Sequence, residues 1–408
     1  MRILHVIDSL SPAAGGPPEA VRQLVKAYAL EIPGSEVEIV CLDNPTAPFL
    51  AGISCRIHAL NQTYLGRFAF SPRLWRWLDQ NAARFDAIVM HGIWSFPNIA
   101  VRFATRRAGK RYAVFVHGAL DPWFNRQYPF KRLKKTIYWP MQYSILRNAA
   151  AVFFTTSIER DLAQTSFRPS NWNSMVVPYG ITNFGENSGE AQKQIEQFYG
   201  RLPQLKDRRF LLFLARIHEK KGCDLLLDAF ARHAPEYPDV DLVIAGPDGA
   251  GLQARLINQA SRLGLDGRVH WPGFIRGDLK WGALRCCEAF VLPSHQENFG
   301  ISVVEALAAG RPVLISNQVN IWPEIEADAV GLVDDDTPHG TERLLRRWFA
   351  LSAPERDAMA DRARPSFLAR YTMNRTAMVI KELFTPQPVG GHVGRQLSEQ
   401  VHVLNGQI

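Results

Sequence analysis

Residues 293–314 read PSHQENFGISVVEALAAGRPVL and carry the strongest structural signal in the chain. A short apolar run ends just before this stretch, a polar turn follows, helical spacing comes next, and a second apolar run begins at Pro312. Strand, turn, helix and strand in this order are typical of a parallel α/β sheet. Two acids, Glu297 in the turn and Glu305 in the helix, have seven residues between them.

Between these acids, Phe299 and Gly300 place unpaired backbone N–H groups at the start of a helix, which favours an anion such as phosphate. Carboxylates accept hydrogen bonds from hydroxyls. The combination fits a ligand with hydroxyls on both sides of its phosphates, as in a nucleotide sugar. The spacing alone would equally fit a surface acid and a helix acid favoured by the dipole, but the strand–turn–helix–strand context favours the ligand.

The stretch resembles the E-x7-E motif of retaining glycosyltransferases of family 4, and the resemblance extends to about Leu383. It implies the α/β GT-B fold, with two Rossmann-like domains facing across a cleft and a C-terminal helix packing back across both. By this resemblance, Glu297 contacts the sugar hydroxyls and Glu305 the ribose. Asn298, with Phe299 and Gly300, completes this part of the donor site.

Composition agrees with two soluble domains. The chain has 408 residues, 47% hydrophobic and 21% charged, enough for two cores. No apolar run approaches the roughly 18–20 residues of a membrane span, and the run at the start is interrupted by Asp8, so we expect a strand there rather than a signal peptide. Five scattered cysteines indicate reduced thiols and a cytoplasmic location.

Strand and helix patterns alternate twice along the chain, which predicts two doubly wound parallel sheets. We expect a first, acceptor-side domain over 1–181, a linker over 182–208 containing one amphipathic helix, and a nucleotide-sugar-binding domain over 209–365. A crossing helix is predicted over 366–384, and a disordered tail over 385–408. Ligands of such sheets bind at the carboxyl ends of the strands, so the cleft between the domains is the expected site.

Glycine turns mark other parts of this cleft. Gly15 and Gly16 follow the first strand and would let a diphosphate approach the backbone, although a glycine pair alone is more often just a turn. Their match to the family's glycine loop favours donor binding. Gly273 and Phe274 lie in a loop that resembles the nucleobase-recognising loop of the family.

Two cations follow the first strand of the second half. Departure of a nucleoside diphosphate builds negative charge on the β-phosphate, and a fixed guanidinium and ammonium stabilise it. Arg216 and Lys221 match the family's strand-terminal Arg and its Lys-Gly pair, and we predict catalytic roles for both. Lys220 is the weaker candidate because Lys221 directly precedes the glycine.

Histidines end two strands of the first half. His117 matches a family histidine that lies beside the transferred sugar and holds a hydroxyl, and we predict that it is catalytic. His91 is interpreted as structural or acceptor-facing. Asp121 is expected either to orient His117 or to contact the acceptor hydroxyl.

We expect neither a metal nor a cofactor, the nucleotide sugar being a substrate. The acids Asp334, Asp335 and Asp336 resemble a metal-binding D-x-D motif but fall in an expected surface loop, and the cations already neutralise phosphate. The resemblance implies hexosyl transfer with retention by front-face attack, with the leaving phosphate helping to deprotonate the acceptor.

Positive charge is concentrated in one region. The net charge is +8, yet residues 101–150 hold eleven Lys or Arg against one acid, Asp121. Within Asn125–Arg147, lysines and arginines alternate with aromatic residues. A solvated helix with core aromatics and a peripheral patch for anionic lipid at the inner face of the membrane remain equally open. The second would suit a lipid-linked glycan acceptor.

The function predicted is therefore hexosyl transfer from a nucleotide-diphosphate sugar to a glycan or lipid-linked glycan. Relatives with a similar H-G-x-L-D-P-W stretch suggest surface polysaccharide or lipopolysaccharide assembly. A nucleotide-sugar epimerase with a related sheet is the enzymatic alternative. A nucleic-acid binder, prompted by the basic composition, lacks any supporting motif, and we expect no nucleic-acid partner.

Overall fold

The structure is a computed structural model that describes residues 1–61, 63–127, 129–177, 179–182, 188–249 and 251–385. Residues 386–408 of the tail predicted over 385–408, and residues 183–187 of the predicted linker, lie outside these ranges. None of the helices described is long and apolar enough to cross a membrane.

The first domain is built on a parallel sheet with the strand order β3-β2-β1-β4-β5-β6-β7. Its strands are β1 (Arg2–Ile7), β2 (Glu36–Cys41), β3 (Arg56–Ala59), β4 (Ala87–His91), β5 (Tyr112–Phe115), β6 (Ala151–Phe154) and β7 (Ser174–Val176). Its helices are α1 (Gly16–Glu31), α2 (Pro72–Asn81), α3 (Phe96–Ala108), α4 (Pro122–Gln127), α5 (Pro129–Arg147) and α6 (Ser157–Ser166). The central strands are buried apolar runs, as expected where helices cover both faces of a sheet.

The second domain repeats this architecture with the strand order β10-β9-β8-β11-β12-β13. Its strands are β8 (Arg209–Leu214), β9 (Val240–Ala245), β10 (Val269–Gly273), β11 (Ala289–Leu292), β12 (Val313–Ser316) and β13 (Gly331–Asp334). Its helices are α7 (Ser188–Arg201), α8 (Cys223–His233), α9 (Gln253–Arg262), α10 (Asp278–Cys286), α11 (Ile301–Ala308), α12 (Trp322–Ala327), α13 (Pro338–Ala350) and α14 (Ala353–Arg370), followed by α15 (Met373–Phe384). The predicted pair of doubly wound sheets is confirmed.

The amphipathic helix predicted within the linker is α7, and it packs tightly on the second domain. Gly282 of α10 lies so close to α7 that an added Cβ would be 2.1 Å from the Gln194 carbonyl oxygen. Arg285 Nε donates to the Gln194 side-chain oxygen at 2.9 Å, and Phe198 is fully buried in the same core. Much of the predicted linker is therefore an outer helix of this domain.

The prediction of one crossing helix over 366–384 was wrong in detail. Two helices occupy this region, and the chain leaves helical geometry at Tyr371 and Thr372. The break occurs because this segment pairs with Ile181, whose N–H donates to the Tyr371 carbonyl and whose carbonyl accepts from the Met373 N–H. The second helix, α15, then returns to the first domain, where Asn374 Nδ2 donates to Glu31 at 2.7 Å.

Candidate functional site

A cavity of about 670 Å³ lies between the carboxyl ends of the two sheets. This volume is within the range of small-ligand sites. Both domains line it. The first domain contributes residues 12–17 together with His117, Gly118, Phe124, Thr155 and Tyr179; the second contributes Arg216, Lys220, Lys221, Phe274, Lys280, residues 296–302 and Glu305.

The turn after β8 brings Lys221 against Glu297. This turn can approach the end of β11 only because Gly222 has no side chain: its φ is +66°, and a Cβ would lie 2.2 Å from the Pro293 carbonyl oxygen. The His295 N–H donates to the Lys220 carbonyl at 2.8 Å and holds the two segments together. As a result, the buried Lys221 ammonium forms an ion pair with the Glu297 carboxylate.

Three cations converge on this wall of the cavity. Burial, with the neighbouring cations Lys220 and Arg216, lowers the pKa of Lys221 well below its usual range. Burial and the nearby Arg216 also lower the pKa of Lys220, to about 8. Among the described residues, the Arg216 guanidinium has no hydrogen-bond or ion-pair partner, and it is exposed at the cavity. Cations that disfavour one another in this way would be stabilised by a bound polyanion.

The two acids of the 293–314 stretch are held apart. The backbone of Glu297 pairs with the loop after β12, since its N–H donates to the Gln318 carbonyl at 2.9 Å. Glu305 lies on α11, is 6% exposed, and accepts a hydrogen bond of 2.6 Å from Lys280. The first turn of α11, with Gly300 at its N-cap, lines the cavity between the two carboxylates.

Two side-chain contacts join the domains at the edge of the cavity. Gln296 Nε2 donates to the Asp121 carboxylate at 2.8 Å, and Gln296 Oε1 accepts from Lys220 at 3.2 Å. Asn298 Nδ2 donates to the Thr155 hydroxyl at 3.1 Å. Asp121 is thus occupied by Gln296 and by the Trp123 N–H, and its side chain does not contact His117 in any hydrogen bond described.

His117 occupies the first-domain wall in an unusual backbone conformation. Its φ is +49°, a value that non-glycine residues rarely adopt and that clusters at functional sites. Its ring stacks on Phe115, with centroids 5.5 Å apart. Its Nε2 is 3.1 Å from Nδ1 of His91. His91 itself is 5% exposed and lies behind His117, so the structure does not bring it to the cavity.

The predicted glycine loops fall on opposite walls. Gly15 has a φ of +92°, and a Cβ there would lie 3.9 Å from the Arg216 guanidinium, so the two residues face each other across the cleft. Gly16 begins α1 and also lines the cavity. Phe274 is 57% exposed on the opposite wall, whereas Gly273, at the end of β10, is not among the lining residues.

The acidic stretch Asp334–Asp336 lies away from this cavity and is engaged in ion pairs. Asp334 pairs with Arg343, and Asp336 accepts from His295 at 2.9 Å. In the part of the chain that the structure describes, no group of three or more His, Cys, Asp or Glu side chains is arranged to hold a metal ion. The metal independence of the reaction stays a prediction.

Several residues of the site were not predicted. Lys280 gave no signal, because a single lysine in an amphipathic helix is ordinary. Gln296 and Thr155 gave none either, since their roles depend on the contact between domains. His5, which bonds to His91 at 2.8 Å, could have been suspected from the sequence, because it is the one titratable residue inside the otherwise apolar stretch ILHVI.

Comparison with known families matches each half of the chain separately. Residues 15–180 match the family described as Glycosyl transferase 4-like domain. Residues 195–365 match the family described as Glycosyl transferases group 1. Among characterised relatives, the alpha-D-kanosaminyltransferase of Streptomyces kanamyceticus is 26% identical over 240 residues, 58% of this chain and 60% of that protein. The first curated relatives are matched over only 37% to 60% of their own length.

Solved structures match over nearly the whole chain. Anabaena HepE, crystallised with UDP-glucose, has a TM-score of 0.73 at 20% identity, over 94% of this chain and 98% of that one. WaaG, a glycosyltransferase involved in lipopolysaccharide biosynthesis, has a TM-score of 0.67 at 15% identity, over 96% and 100% of the two chains. At these identities the likeness establishes the fold.

Proposed function

We propose that this chain, whose two halves match the Glycosyl transferase 4-like domain and Glycosyl transferases group 1 families and whose fold resembles GT-B structures, is a retaining hexosyltransferase. The donor is a nucleotide-diphosphate sugar and the acceptor a glycan or lipid-linked glycan. One observation carries this proposal: the cation cluster Arg216, Lys220 and Lys221 and two separated carboxylates face a single cavity of about 670 Å³, which suits a diphosphate with a hydroxylated group at each end.

The cations act on the leaving group. As the bond between the anomeric carbon and the β-phosphate oxygen breaks, negative charge grows on that oxygen. Arg216 and Lys221 stabilise this charge without reorganisation, because the turn at Gly222 and the Glu297 carboxylate already fix the ammonium. Lys220 adds a third positive charge from the interdomain edge.

The carboxylates bind the hydroxylated ends of the donor. Glu297 accepts from hydroxyls of the transferred sugar, and Glu305, held by Lys280, accepts from the ribose. The acceptor oxygen attacks the anomeric carbon on the face from which the diphosphate leaves, and the acceptor's proton passes to a departing phosphate oxygen. This sequence retains the anomeric configuration and needs no covalent enzyme intermediate.

The experiment is thermal denaturation against UDP-, GDP- and ADP-sugars, each with and without EDTA. Ligand at 100 times its Kd stabilises the native state by about 2.7 kcal/mol, a shift of several degrees. We expect one nucleotide to shift the melting temperature equally with and without chelator, and the shift to be lost in Arg216→Met. NMR of the product should then show the donor's anomeric configuration.

Three results would contradict this proposal: a shift abolished by EDTA, a trapped glycosyl adduct on Glu297, or an inverted product. Donor isomerised or hydrolysed at full rate without acceptor would instead indicate the epimerase class.

The acceptor side of the proposal includes contact with an anionic bilayer through α5, which supports assembly of surface polysaccharide or lipopolysaccharide. As far as Met141, this helix projects exposed apolar side chains along one stripe: Phe130 (89% exposed), Leu133 (64%), Ile137 (73%) and Met141 (45%). Lys131, Arg132 and Lys134 lie exposed among them. Apolar and cationic groups together match an interfacial helix. Tyr128, part of the predicted basic segment, lies outside the described residues.

Co-sedimentation with vesicles of phosphatidylcholine, with and without phosphatidylglycerol, tests this contact. We expect binding only with the anionic lipid, and its loss in Leu133→Ser/Ile137→Ser and in Lys131→Glu/Lys134→Glu. The control is Leu30→Ser, which removes an equally exposed leucine (61%) from α1. Binding that survives both double substitutions would contradict the contact.

A further inference from the structure

A polar side chain with no role so far lies in the middle of the first-domain sheet. His5 is on β1, between the pairing strands β2 and β4, and is 0% exposed. Burying a polar group costs free energy unless its hydrogen bonds are satisfied. His5 Nδ1 bonds to His91 Nε2 at 2.8 Å, and its ring packs beside Tyr28.

The three histidines form one chain of hydrogen bonds that ends at the cavity. His5 Nδ1 contacts His91 Nε2, and His91 Nδ1 contacts His117 Nε2 at 3.1 Å. Each neutral imidazole ring carries one N–H, and each of the two N···N hydrogen bonds pairs one N–H with one lone pair. The proton positions are therefore linked: all three rings carry hydrogen on Nδ1, or all three carry it on Nε2. His117 has only Nδ1 left to meet a ligand.

The buried end of the chain favours the first arrangement. His5 Nε2 has no hydrogen-bond partner among the described residues. An orphaned buried N–H group is rarer than an acceptor with an unused lone pair. A lone pair at His5 Nε2 sends every N–H toward the cavity.

We propose that His5 and His91 are positioning residues that hold His117 as the neutral Nδ1–H tautomer, so that it donates a hydrogen bond to an oxygen of the donor sugar. This inference rests on the proposed transferase function. His5 and His91 are 86 residues apart in the sequence, and His91 and His117 are 26 residues apart.

The surroundings keep the chain neutral. Burial lowers the pKa of His5 and of His117 to about 3, and burial with the two flanking rings holds the pKa of His91 well below its usual range. The nearly parallel stacking of His91 on Phe115, 9° between ring planes, fixes the orientation of the central ring. Because the three rings neither rotate nor ionise, the tautomer of His5 determines the tautomers of His91 and His117.

The first arm of the test is structural and needs no substrate. In full-length protein labelled with ¹⁵N-histidine at pH 7.5, two-bond ¹H–¹⁵N spectra distinguish protonated from bare ring nitrogens. We expect His5, His91 and His117 to be neutral and protonated on Nδ1. In His91→Phe, which keeps the stacking ring, His117 should move to the Nε2–H form or a mixture. In His91→Gln, whose amide can both donate and accept, it should keep Nδ1–H.

The second arm is kinetic and uses whichever of UDP-glucose, GDP-mannose or ADP-glucose the wild-type protein turns over. His91→Phe should lower kcat roughly 10- to 100-fold while KM for the donor changes little, as is typical when a partner that orients a functional histidine is removed. His91→Gln should recover most of the rate. The control is His58→Phe, which removes a half-buried histidine paired with Glu38 in the same domain, away from the cavity.

The outcomes separate the two proposals. If none of the three donors is turned over, the proposed function fails while the spectra still decide the tautomers. If His117 in the wild-type protein carries its proton on Nε2, is an imidazolium at pH 7.5, or is unchanged in His91→Phe, the inference is overturned. Equal activity of His91→Phe and His91→Gln in folded proteins would overturn it as well.

Discussion

The two walls of the cavity differ in charge. The second-domain wall is charged: Arg216, Lys220 and Lys221 converge there beside Glu297. The first-domain wall is neutral and offers glycine backbone and the His117 ring. A diphosphate needs fixed positive charge while the leaving group departs. Under the proposed function, the second-domain cations supply that charge and Glu297 contacts the sugar hydroxyls, while the first domain adds a neutral hydrogen-bonding group, His117, on the other side of the sugar.

The two walls are held in place by different contacts. The charged wall is preorganised by the Lys221–Glu297 ion pair, which lies within one domain and does not require the other. The neutral wall meets the other through the hydrogen bonds Gln296–Asp121 and Asn298–Thr155, together with ring contacts such as Tyr179–Phe299. We expect substitutions on the charged wall to abolish chemistry, and substitutions at the contact between the walls to disturb geometry.

The largest effect is expected from Lys221→Met. The variant loses a transition-state cation and leaves Glu297 unpaired beside the phosphate site, so kcat/KM should fall roughly 100- to 1,000-fold. Steady-state kinetics with the donor found by thermal shift measures this. The control is Lys193→Met, which removes a solvent-exposed lysine from its ion pair with Asp278 in the same domain. A fall of less than 10-fold would mean that this wall is not specialised for the leaving group.

Most of the charged wall could be predicted from the sequence, because local patterns encode it. Strand-end position, the Lys-Gly pair and the spacing of Glu297 and Glu305 are all short-range signals. The alternating strands and helices predicted for both halves are present among the described residues. Parallel strands that are buried on both faces stand out as apolar runs between turns.

The contact between the walls and the histidine chain could not be predicted in the same way. Gln296 and Asp121 are 175 residues apart, and Asn298 and Thr155 are 143 apart. Such pairs depend on how two separately folded sheets face each other, which no local pattern specifies. The acceptor-side interpretation of His91 considered only its position at a strand end. Its burial behind His117 follows from β4 lying between β1 and β5.

An intermediate effect is expected from Gly118→Ala, which acts on the contact between the walls. Gly118 has a φ of +73°, and a Cβ would lie 3.0 Å from Cβ and Cγ of Asn298. The matched control is Gly109→Ala, whose φ is +64° but whose Cβ would enter open space. Both variants should lose stability by about 1 kcal/mol from backbone strain. Only Gly118→Ala should also lose donor binding, by roughly 10-fold in Kd, an amount worth about 1.4 kcal/mol.

Chemical denaturation and titration of the nucleotide sugar measure the two quantities separately. Equal donor affinity in the two glycine variants would show that the walls tolerate a shift at Asn298, and that the cleft does not depend on their close approach.

The smallest effect concerns the neutral wall and is read as the pH dependence of stability. The folded pKa values of the three histidines lie below the unfolded value of about 6.5. The unfolded chain therefore binds more protons, so their contribution to stability is complete above pH 6.5 and is lost as pH falls toward 3. Each histidine should steepen the loss by up to about 1.4 kcal/mol per pH unit.

We therefore measure the free energy of unfolding in urea between pH 7.5 and 5. It should fall less steeply with pH in His91→Phe than in the wild-type protein, by up to about 1.4 kcal/mol per pH unit, the contribution of one histidine. His339→Phe, at an exposed position on α13, should leave the slope unchanged. At high pH the charged wall titrates instead, because Lys220, with its pKa lowered to about 8, loses its proton there. Donor affinity should then weaken above pH 8. Stability should rise over the same range, because the unfolded chain keeps this proton up to the ordinary lysine pKa of about 10.5, so the two walls titrate in separate pH ranges. If the unfolding free energy of His91→Phe and of the wild-type protein changed equally with pH between 7.5 and 5, the three histidines would take up protons in the folded state. The contrast between a charged and a neutral wall would then not hold.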